Sequence, residues 1–293
     1  MRYGVFLDQQ RPVDDVIELA RSAADAGFSS VWANQVFGPD ALTVLALVAR
    51  EVEGIELGTA VVPVYPQHPL TLAGSALTVQ AVSNGRLTLG IGLSHQPVVE
   101  NMWGYSFDKP VRYMREYLAA LLPALRGEQV QVKGEVISAM TMGPLAVQVP
   151  KPPSVLLAAL GPAMLKLARE QSDGTVTWMT GPATIESHIK PNLGGGRIVC
   201  ALPTQLTNDV AAARESAAKT FAIYGQLPSY RAMLDREGAA GPGDVAVVGD
   251  EAELSKALDR LAEAGVTDFV AAPMGGREAA TRTLEFLAAQ PSS

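Results

Sequence analysis

Eight short apolar runs recur along the 293 residues, each followed by a stretch whose apolar residues fall at helical spacing. The runs are mostly apolar throughout rather than alternating, which marks strands buried on both faces. No segment rich in proline, serine or charge divides the chain. Together these observations predict one α/β domain over residues 1–293, a closed (β/α)8 TIM barrel. An open doubly wound sheet is the rival architecture.

The elements follow in order. Residues 3–7 form the first strand, and Val13, Val16, Ile17, Ala20, Ala23 and Ala24 mark a helix that Gly27 stops. Strands at 30–33, 55–62 and 86–91 alternate with helices at 41–50, 70–82 and 112–125. The period then breaks. Residues 129–149 mix Val130, Val132, Val136 and Ile137 with Gly134 and Gly143-Pro144, which reads as a hairpin-like insertion after the fourth βα unit. Alternation resumes with a strand at 155–159 and a helix starting near Gly161-Pro162. A sixth strand at 175–179 precedes a short helix at 183–189. The seventh strand, 198–202, leads to a helix at 208–224 that Asn208 or Asp209 starts. Helices at 229–236 and 251–264, the latter capped by Asp250, precede the eighth strand at 267–272 and a last helix at 278–289.

Composition excludes several function classes. A hydrophobic share of 48 % against 18 % charged residues excludes intrinsic disorder. The net charge of −7 argues against a nucleic-acid binder and against docking on an anionic membrane. A lone cysteine, Cys200, excludes an internal disulfide framework. The histidines His68, His95 and His188 stand far apart, so no metal site is expected. No apolar run reaches the roughly 18–20 residues of a membrane span. The apolar stretch at 5–7 is too short for a signal peptide, so a cytoplasmic protein is expected.

Barrel chemistry sits at the C-terminal strand ends. Here these hold Asp8 and Gln9, Asn34 and Gln35, residues 61–65, 93–96, 160–163 and 178–180, Pro203, and residues 273–275. One carboxylate and one histidine do not make the paired acids of a glycosidase. The remainder is aromatic, amide, proline and glycine, which suits a flat, largely neutral cofactor. Generic motifs fail. Gly90-Ile91-Gly92 is followed by His95 where a dinucleotide fingerprint needs a third glycine. Gly92-Leu93-Ser94-His95-Gln96 misses the nucleophile elbow at its last residue.

The third strand, Leu57-Gly58-Thr59-Ala60-Val61-Val62-Pro63 with Tyr65 and His68-Pro69, resembles that of the bacterial-luciferase-like superfamily. Gly85-Arg86 followed by Leu87-Thr88-Leu89-Gly90-Ile91-Gly92 is similar to its fourth strand. Ala158-Ala159-Leu160-Gly161-Pro162-Ala163 resembles its phosphate loop, and Ser172-Asp173-Gly174 its turn into the sixth strand. Phe37-Gly38-Pro39-Asp40-Ala41-Leu42 with Tyr65 and His68-Pro69 looks most like the branch that uses the deazaflavin coenzyme F420.

The resemblance implies a hydride-transfer enzyme acting on a small organic substrate, with coenzyme F420 in the barrel mouth. The alternatives are an FMN-dependent monooxygenase and a cofactor-less barrel. It also implies a homodimer. A non-prolyl cis peptide backs the ring in that family; the matching bond is Ala60–Val61, with Val62 following. Asn34, Gln35, Leu93, Ser94, Leu160 and Trp178 are expected around the cofactor, His68 either to shape the loop and helix start or to reach the cofactor's polar atoms, and Gly161, Pro162 and Ala163 at its phosphate. The implied catalytic pair is His95, the best proton donor, and Gln35. Some relatives carry an aspartate–histidine pair where Asn34 and Gln35 stand; Gln35 can hydrogen-bond but cannot act as a base. Lys166 and Arg169 are the nearest positive charges for an anionic tail. His188 is expected on a surface helix, Trp32 in packing, and Trp103 capping the substrate space. Tyr224 and Tyr230 flank Gly225-Gln226-Leu227-Pro228, a segment suited to a lid or a substrate wall.

Overall fold

The computed structural model describes residues 1–8, 10–35 and 37–291. Gln9, named above at a strand end, lies outside them. The chain runs β1 (Arg2–Phe6), α1 (Val13–Asp25), β2 (Ser30–Ala33), α2 (Ala41–Glu51), β3 (Glu56–Thr59), β4 (Val62–Pro63), α3 (Pro69–Val82), β5 (Leu87–Gly92) and α4 (Pro110–Leu125). A hairpin of β6 (Gln131–Lys133) and β7 (Ser138–Met140) follows, paired only with itself. Then come β8 (Ser154–Ala158), α5 (Pro162–Gln171), β9 (Gly174–Trp178), and a helical stretch of α6 (Pro182–Thr184), a π turn and α7 (Lys190–Leu193). The chain closes with β10 (Arg197–Leu206), α8 (Val210–Thr220), α9 (Pro228–Glu237), β11 (Val247–Gly249), α10 (Glu251–Ala264), β12 (Asp268–Pro273) and α11 (Gly276–Ala288).

Every barrel pairing is parallel. The order β1, β2, β3/β4, β5, β8, β9, β10, β12 returns to β1 and closes the ring of eight. The barrel expectation holds, and the open sheet is excluded by the β9–β10 and β12–β1 pairings. Expected and observed strands agree to within a residue or so, with three differences. The strand expected at 55–62 is broken into β3 and β4. β10 extends four residues further, because its end pairs with β11 at Thr204, Gln205 and Leu206. β11 has only three residues, too few to show a period. The expected helix at 208–224 is α8 followed by a separate 3-10 turn at Ala222–Gly225. Asp209 caps α8 by accepting from the Ala212 N–H (3.1 Å). Asp250 caps α10 in a reciprocal box with Glu253.

The barrel interior is filled in layers. Its floor is an ion network with the Asp268 carboxylate at its centre, which is buried. Arg197 donates to Asp268 from Nη2 (2.8 Å) and Nε (3.1 Å), and Arg2 pairs with the same carboxylate. Both arginines also reach Glu56, at 2.8 and 2.9 Å, and Thr88 donates to Glu56 (2.6 Å). Two cations and two anions leave the floor neutral. Above it lies Trp32, fully buried among Leu156, Val176, Val199, Ala201 and Val270. Trp32 fits because Gly58 faces it on β3: a Cβ there would collide with the indole. The top layer is Phe6, Ala60, Val61 and Trp178, half-buried at the mouth.

Two stability measurements test these layers. Gly58→Ala should lower the urea midpoint, by about 1–3 kcal/mol of overpacking against Trp32. Asp268→Asn should cost up to about 3–5 kcal/mol at neutral pH, since the half-buried Arg197 and the more exposed Arg2 lose the buried carboxylate they share. Burial alone would raise the Asp268 pKa, but the hydrogen bonds and charges of Arg197 and Arg2 outweigh it and hold the carboxyl low. Its contribution is therefore complete above the unfolded carboxylate value and is lost as pH falls through the lower folded value. Acid unfolding of the wild type below about pH 4 should be steeper than that of Asp268→Asn. Equal slopes for the two proteins would contradict this assignment.

Candidate functional site

The third barrel strand is interrupted just below the mouth. Gly58 pairs with Thr88, but Val62 pairs with Ile91, so three residues, 59–61, stand opposite two on β5. This is a bulge, and the peptide bond Ala60–Val61 within it is cis. The Thr59 hydroxyl takes over the missing ladder. It donates to the Gly90 carbonyl (2.7 Å) and accepts from the Gly90 N–H (2.8 Å). On β5, a Cβ at Gly90 would collide with the Thr59 carbonyl, and one at Gly92 would stand 2.8 Å from a Val61 methyl. Gly90-Ile91-Gly92 is thus the seat of the bulge. Ala60 and Val61 remain half-buried at the mouth, whereas Val62 is fully buried between barrel and helices.

The neighbouring strand ends are tied to this bulge. The Gln35 N–H donates to the Val61 carbonyl (3.3 Å), and its side-chain oxygen accepts from the Ala41 N–H (3.3 Å), starting α2. Asn34 beside it is half-buried. After β5, Leu93, Ser94 and His95 are half-buried, and Ser94 takes a left-handed conformation (φ +63°). The His95 carbonyl accepts from the N–H groups of Val98 and Val99, both at 2.9 Å. Burial pushes the His95 imidazole below its ordinary value, so the ring is neutral at pH 7.

A wall of aromatic rings runs from the ends of β1 and β9 to His95 after β5. Phe6 lies 5.9 Å from Trp178. Trp178 lies 5.4 Å from Phe221 and 6.0 Å from Tyr224, both edge to face. Tyr224 meets Tyr230 at 5.0 Å, and Tyr230 meets His95 at 5.6 Å. Burial raises the Tyr224 and Tyr230 phenols, so both are neutral. The Trp178 indole N–H lowers Tyr224 slightly by its proximity but reaches no partner in hydrogen-bond geometry. Phe6 and Phe221 were not read as site residues. The available signals were Phe6 as the last residue of β1, and Phe221 three positions before Tyr224.

Beside β8, Gly161, Pro162 and Ala163 open α5 and are exposed, with no side chain capping the helix. The loop is held by His188, whose Nε2 donates to the Leu160 carbonyl (2.7 Å). His188 is buried, which corrects the surface position expected for it: its π turn faces the barrel. Pro162, Ala163, Lys166, Arg169, Pro191 and Asn192 line a cleft of about 380 Å³. Of its two cations, Lys166 is paired with Glu170 (3.9 Å) and Arg169 lies in the last turn of α5, while the helix-start N–H groups are open to an anion.

Several expected residues serve elsewhere. His68 is exposed; its Nδ1 accepts from the Leu70 N–H (3.3 Å), capping α3, which leaves Nε2 to donate to the Ser138 carbonyl (3.0 Å) of the hairpin. Trp103 packs half-buried against the outer core. Burial pushes the Cys200 thiol to about 12, which removes it as a nucleophile. No group of three metal-ligating side chains occurs among the described residues. The larger cleft, about 820 Å³, lies at the barrel floor. Its arginines are engaged: Arg2 and Arg197 in the ion network, and Arg86 with the carbonyls of Ala49, Ile55 and Ser83.

The chain is similar to several known proteins. It is 30 % identical over 215 residues to a 5,10-methylenetetrahydromethanopterin reductase of Methanolobus tindarius, covering 72 % of this chain and 64 % of the relative. It is 28 % identical over 250 residues to an uncharacterised protein of Mycobacterium tuberculosis, covering 78 % and 72 %. A Mycobacterium tuberculosis protein named for coenzyme F420-dependent oxidoreduction is 33 % identical over 182 residues, 56 % and 51 % of the two chains. Among solved structures, the coenzyme F420-dependent tetrahydromethanopterin reductase of Methanopyrus kandleri superimposes with a TM-score of 0.83 at 20 % identity, covering 98 % and 97 %. A type II Baeyer-Villiger monooxygenase from Pseudomonas putida in complex with FMN superimposes at 0.79 and 16 %, covering 100 % and 98 %. The model of the luciferase-like monooxygenase family matches residues 1–269, and the chain belongs to that family.

Proposed function

We propose that the protein is a coenzyme F420-dependent oxidoreductase that moves a hydride between the cofactor and a small organic substrate. The observation that carries this reading is the mouth itself. Its titratable groups at the strand ends are a neutral His95 and an Asp8 that is ion-paired with Arg11 (3.2 Å). No acid–base pair is present there among the described residues, so the reaction needs a bound group. Relatives named for F420 support the choice of group.

The residues present fit such a group. Ala60 and Val61 offer a flat backbone surface, and Asn34, Gln35, Leu93, Ser94 and Trp178 surround it. Leu160, Gly161, Pro162 and Ala163 offer N–H groups to a phosphate, and Lys166 and Arg169 offset further negative charge on the tail. When bound, F420 supplies the hydride at its C5 position. The chain then orients the ring, excludes water with the aromatic wall, and holds a proton at His95. FMN is the second reading, favoured by the FMN-bound structural neighbour; the Lys166–Arg169 cleft suits the more anionic tail. In this reading the protein works in the cytoplasm as a homodimer, which light scattering would test.

Fluorescence titration with each cofactor decides between them. F420 should bind more tightly than FMN, and tight FMN binding without F420 binding would overturn the proposal. Gly161→Phe should fold normally, because its backbone suits any residue and the space beyond is open. It should weaken F420 binding on the order of tenfold. Unchanged affinity would remove the loop from the site.

The His95 shift sets the pH profile. Burial lowers its folded pKa below the ordinary imidazole value of 6.5. A turnover that needs neutral His95 should fall at acid pH with its inflection below 6.5. His95→Gln should lower kcat and abolish the inflection. An inflection that survives in the variant would exclude His95 as the titrating group.

A further inference from the structure

We infer that Phe221, Tyr224 and Tyr230 select the substrate, and that they select an uncharged molecule with a flat aromatic or alicyclic body whose one polar group, a carbonyl or the matching alcohol, meets His95. This rests on the reading of the mouth as a cofactor site, since Phe6 and Trp178 of the wall share the top layer of the barrel with Ala60 and Val61.

Three observations carry it. First, the rings form one chain, Phe6, Trp178, Phe221, Tyr224, Tyr230 and His95, each link between 5.0 and 6.3 Å. Phe221, Tyr224 and Tyr230 meet their neighbours largely edge to face and are only half-buried, so each keeps some surface for a further apolar partner.

Second, the wall offers no charge. Both phenols and the imidazole are neutral at pH 7. The nearby acids are already engaged: Asp8 with Arg11, and Glu237 with the N–H groups of Ala183 (3.1 Å) and Thr184 (2.7 Å). Arg231, next to Tyr230, is tied to Asp235 (2.8 Å) and to the carbonyls of Ala239 and Ala240. A charged substrate would lose water at this wall and gain no partner there.

Third, the wall is built in place. Glu237 fastens the end of α9 to α6, and the Thr184 hydroxyl donates to the Met233 carbonyl (3.1 Å). Tyr230 begins the same helix, so its contact with His95 is held from both sides. The segment acts as a fixed wall that sorts substrates by shape and charge, rather than as a lid.

The test uses tryptophan fluorescence of the full chain, with and without F420, titrated with acetophenone, benzoate and acetone. Trp178 is the reporter, and Trp178→Phe should abolish the signal. Acetophenone should quench saturably and bind at least about tenfold more tightly than benzoate or acetone. Tyr224→Ala and Tyr230→Ala should each weaken acetophenone about fivefold, while the phenylalanine variants keep most of the affinity. If an alanine variant fails to fold, Phe221→Leu probes the same wall. Benzoate binding as tightly as acetophenone, or alanine variants with unchanged affinity, would overturn the inference. F420 binding is followed separately by the cofactor's own fluorescence. Loss of F420 binding with the discrimination intact would overturn the cofactor reading alone; F420 binding without discrimination would overturn the wall alone.

Discussion

The site depends on one steric fit, the bulge of residues 59–61 seated on the two bare positions of β5. Gly90 leaves room for the Thr59 carbonyl and Gly92 for the Val61 side chain. Thr59 restores both hydrogen bonds that the bulge removes from the ladder. The consequences spread from there. The Val61 carbonyl holds the Gln35 N–H, and Gln35 in turn starts α2. The Val64 N–H returns to the Gly92 carbonyl (3.0 Å), which sets the path to Tyr65 and to the His68 cap of α3. A side chain at Gly90 would therefore disturb two strands, two helix starts and the floor of the proposed cofactor site together.

Charge is partitioned along the barrel axis, and this explains how an acidic chain can suit an anionic cofactor. The buried ions are confined to the floor, where Arg2, Arg197, Glu56 and Asp268 neutralise one another. Trp32 and its apolar neighbours separate that network from the mouth. The mouth carries rings, amides and a neutral imidazole. The net charge of −7 is thus a property of the outer surface, where salt screens it. The open N–H groups at the start of α5 supply positive potential locally, with Lys166 and Arg169 further along the same helix.

Much of the fold was legible because parallel strands buried on both faces carry short continuous apolar runs, and helices between them carry a stripe. Asp250 and Asp209 marked their helix starts by side-chain chemistry that acts within three residues. Features made by distant residues were not legible. β11 exists only because β10 overruns the barrel, and His188 is buried only because it reaches the Leu160 carbonyl 28 positions away. The family resemblance pointed to a cis bond at Ala60–Val61 and the Gly-Pro pattern to a helix start at Gly161–Ala163, and both are present. The site was obscure where rings from separate elements converge. Phe6 and Phe221 lie 215 positions apart, and only Trp178 between them makes them one surface. His68 was legible from its place before Pro69 as the residue that starts α3; the second contact, to the hairpin 70 positions away, was not.

The two halves of the mouth have different origins, and this bears on how such a site can change. The half facing the bulge is made by strands whose side chains also close the barrel. Gly58, Thr59, Gly90 and Gly92 each answer to packing as well as to any ligand. The other half, residues 221–238, lies in the connection between β10 and β12 and supplies no barrel strand. It is fastened to α6 by Glu237 and Met233 rather than to the sheet. Exchanging Phe221, Tyr224 or Tyr230 for other apolar residues disturbs neither the ladder nor the ion floor. The packing therefore leaves the surface proposed to choose the substrate free to vary, while it constrains the surface proposed to hold the cofactor.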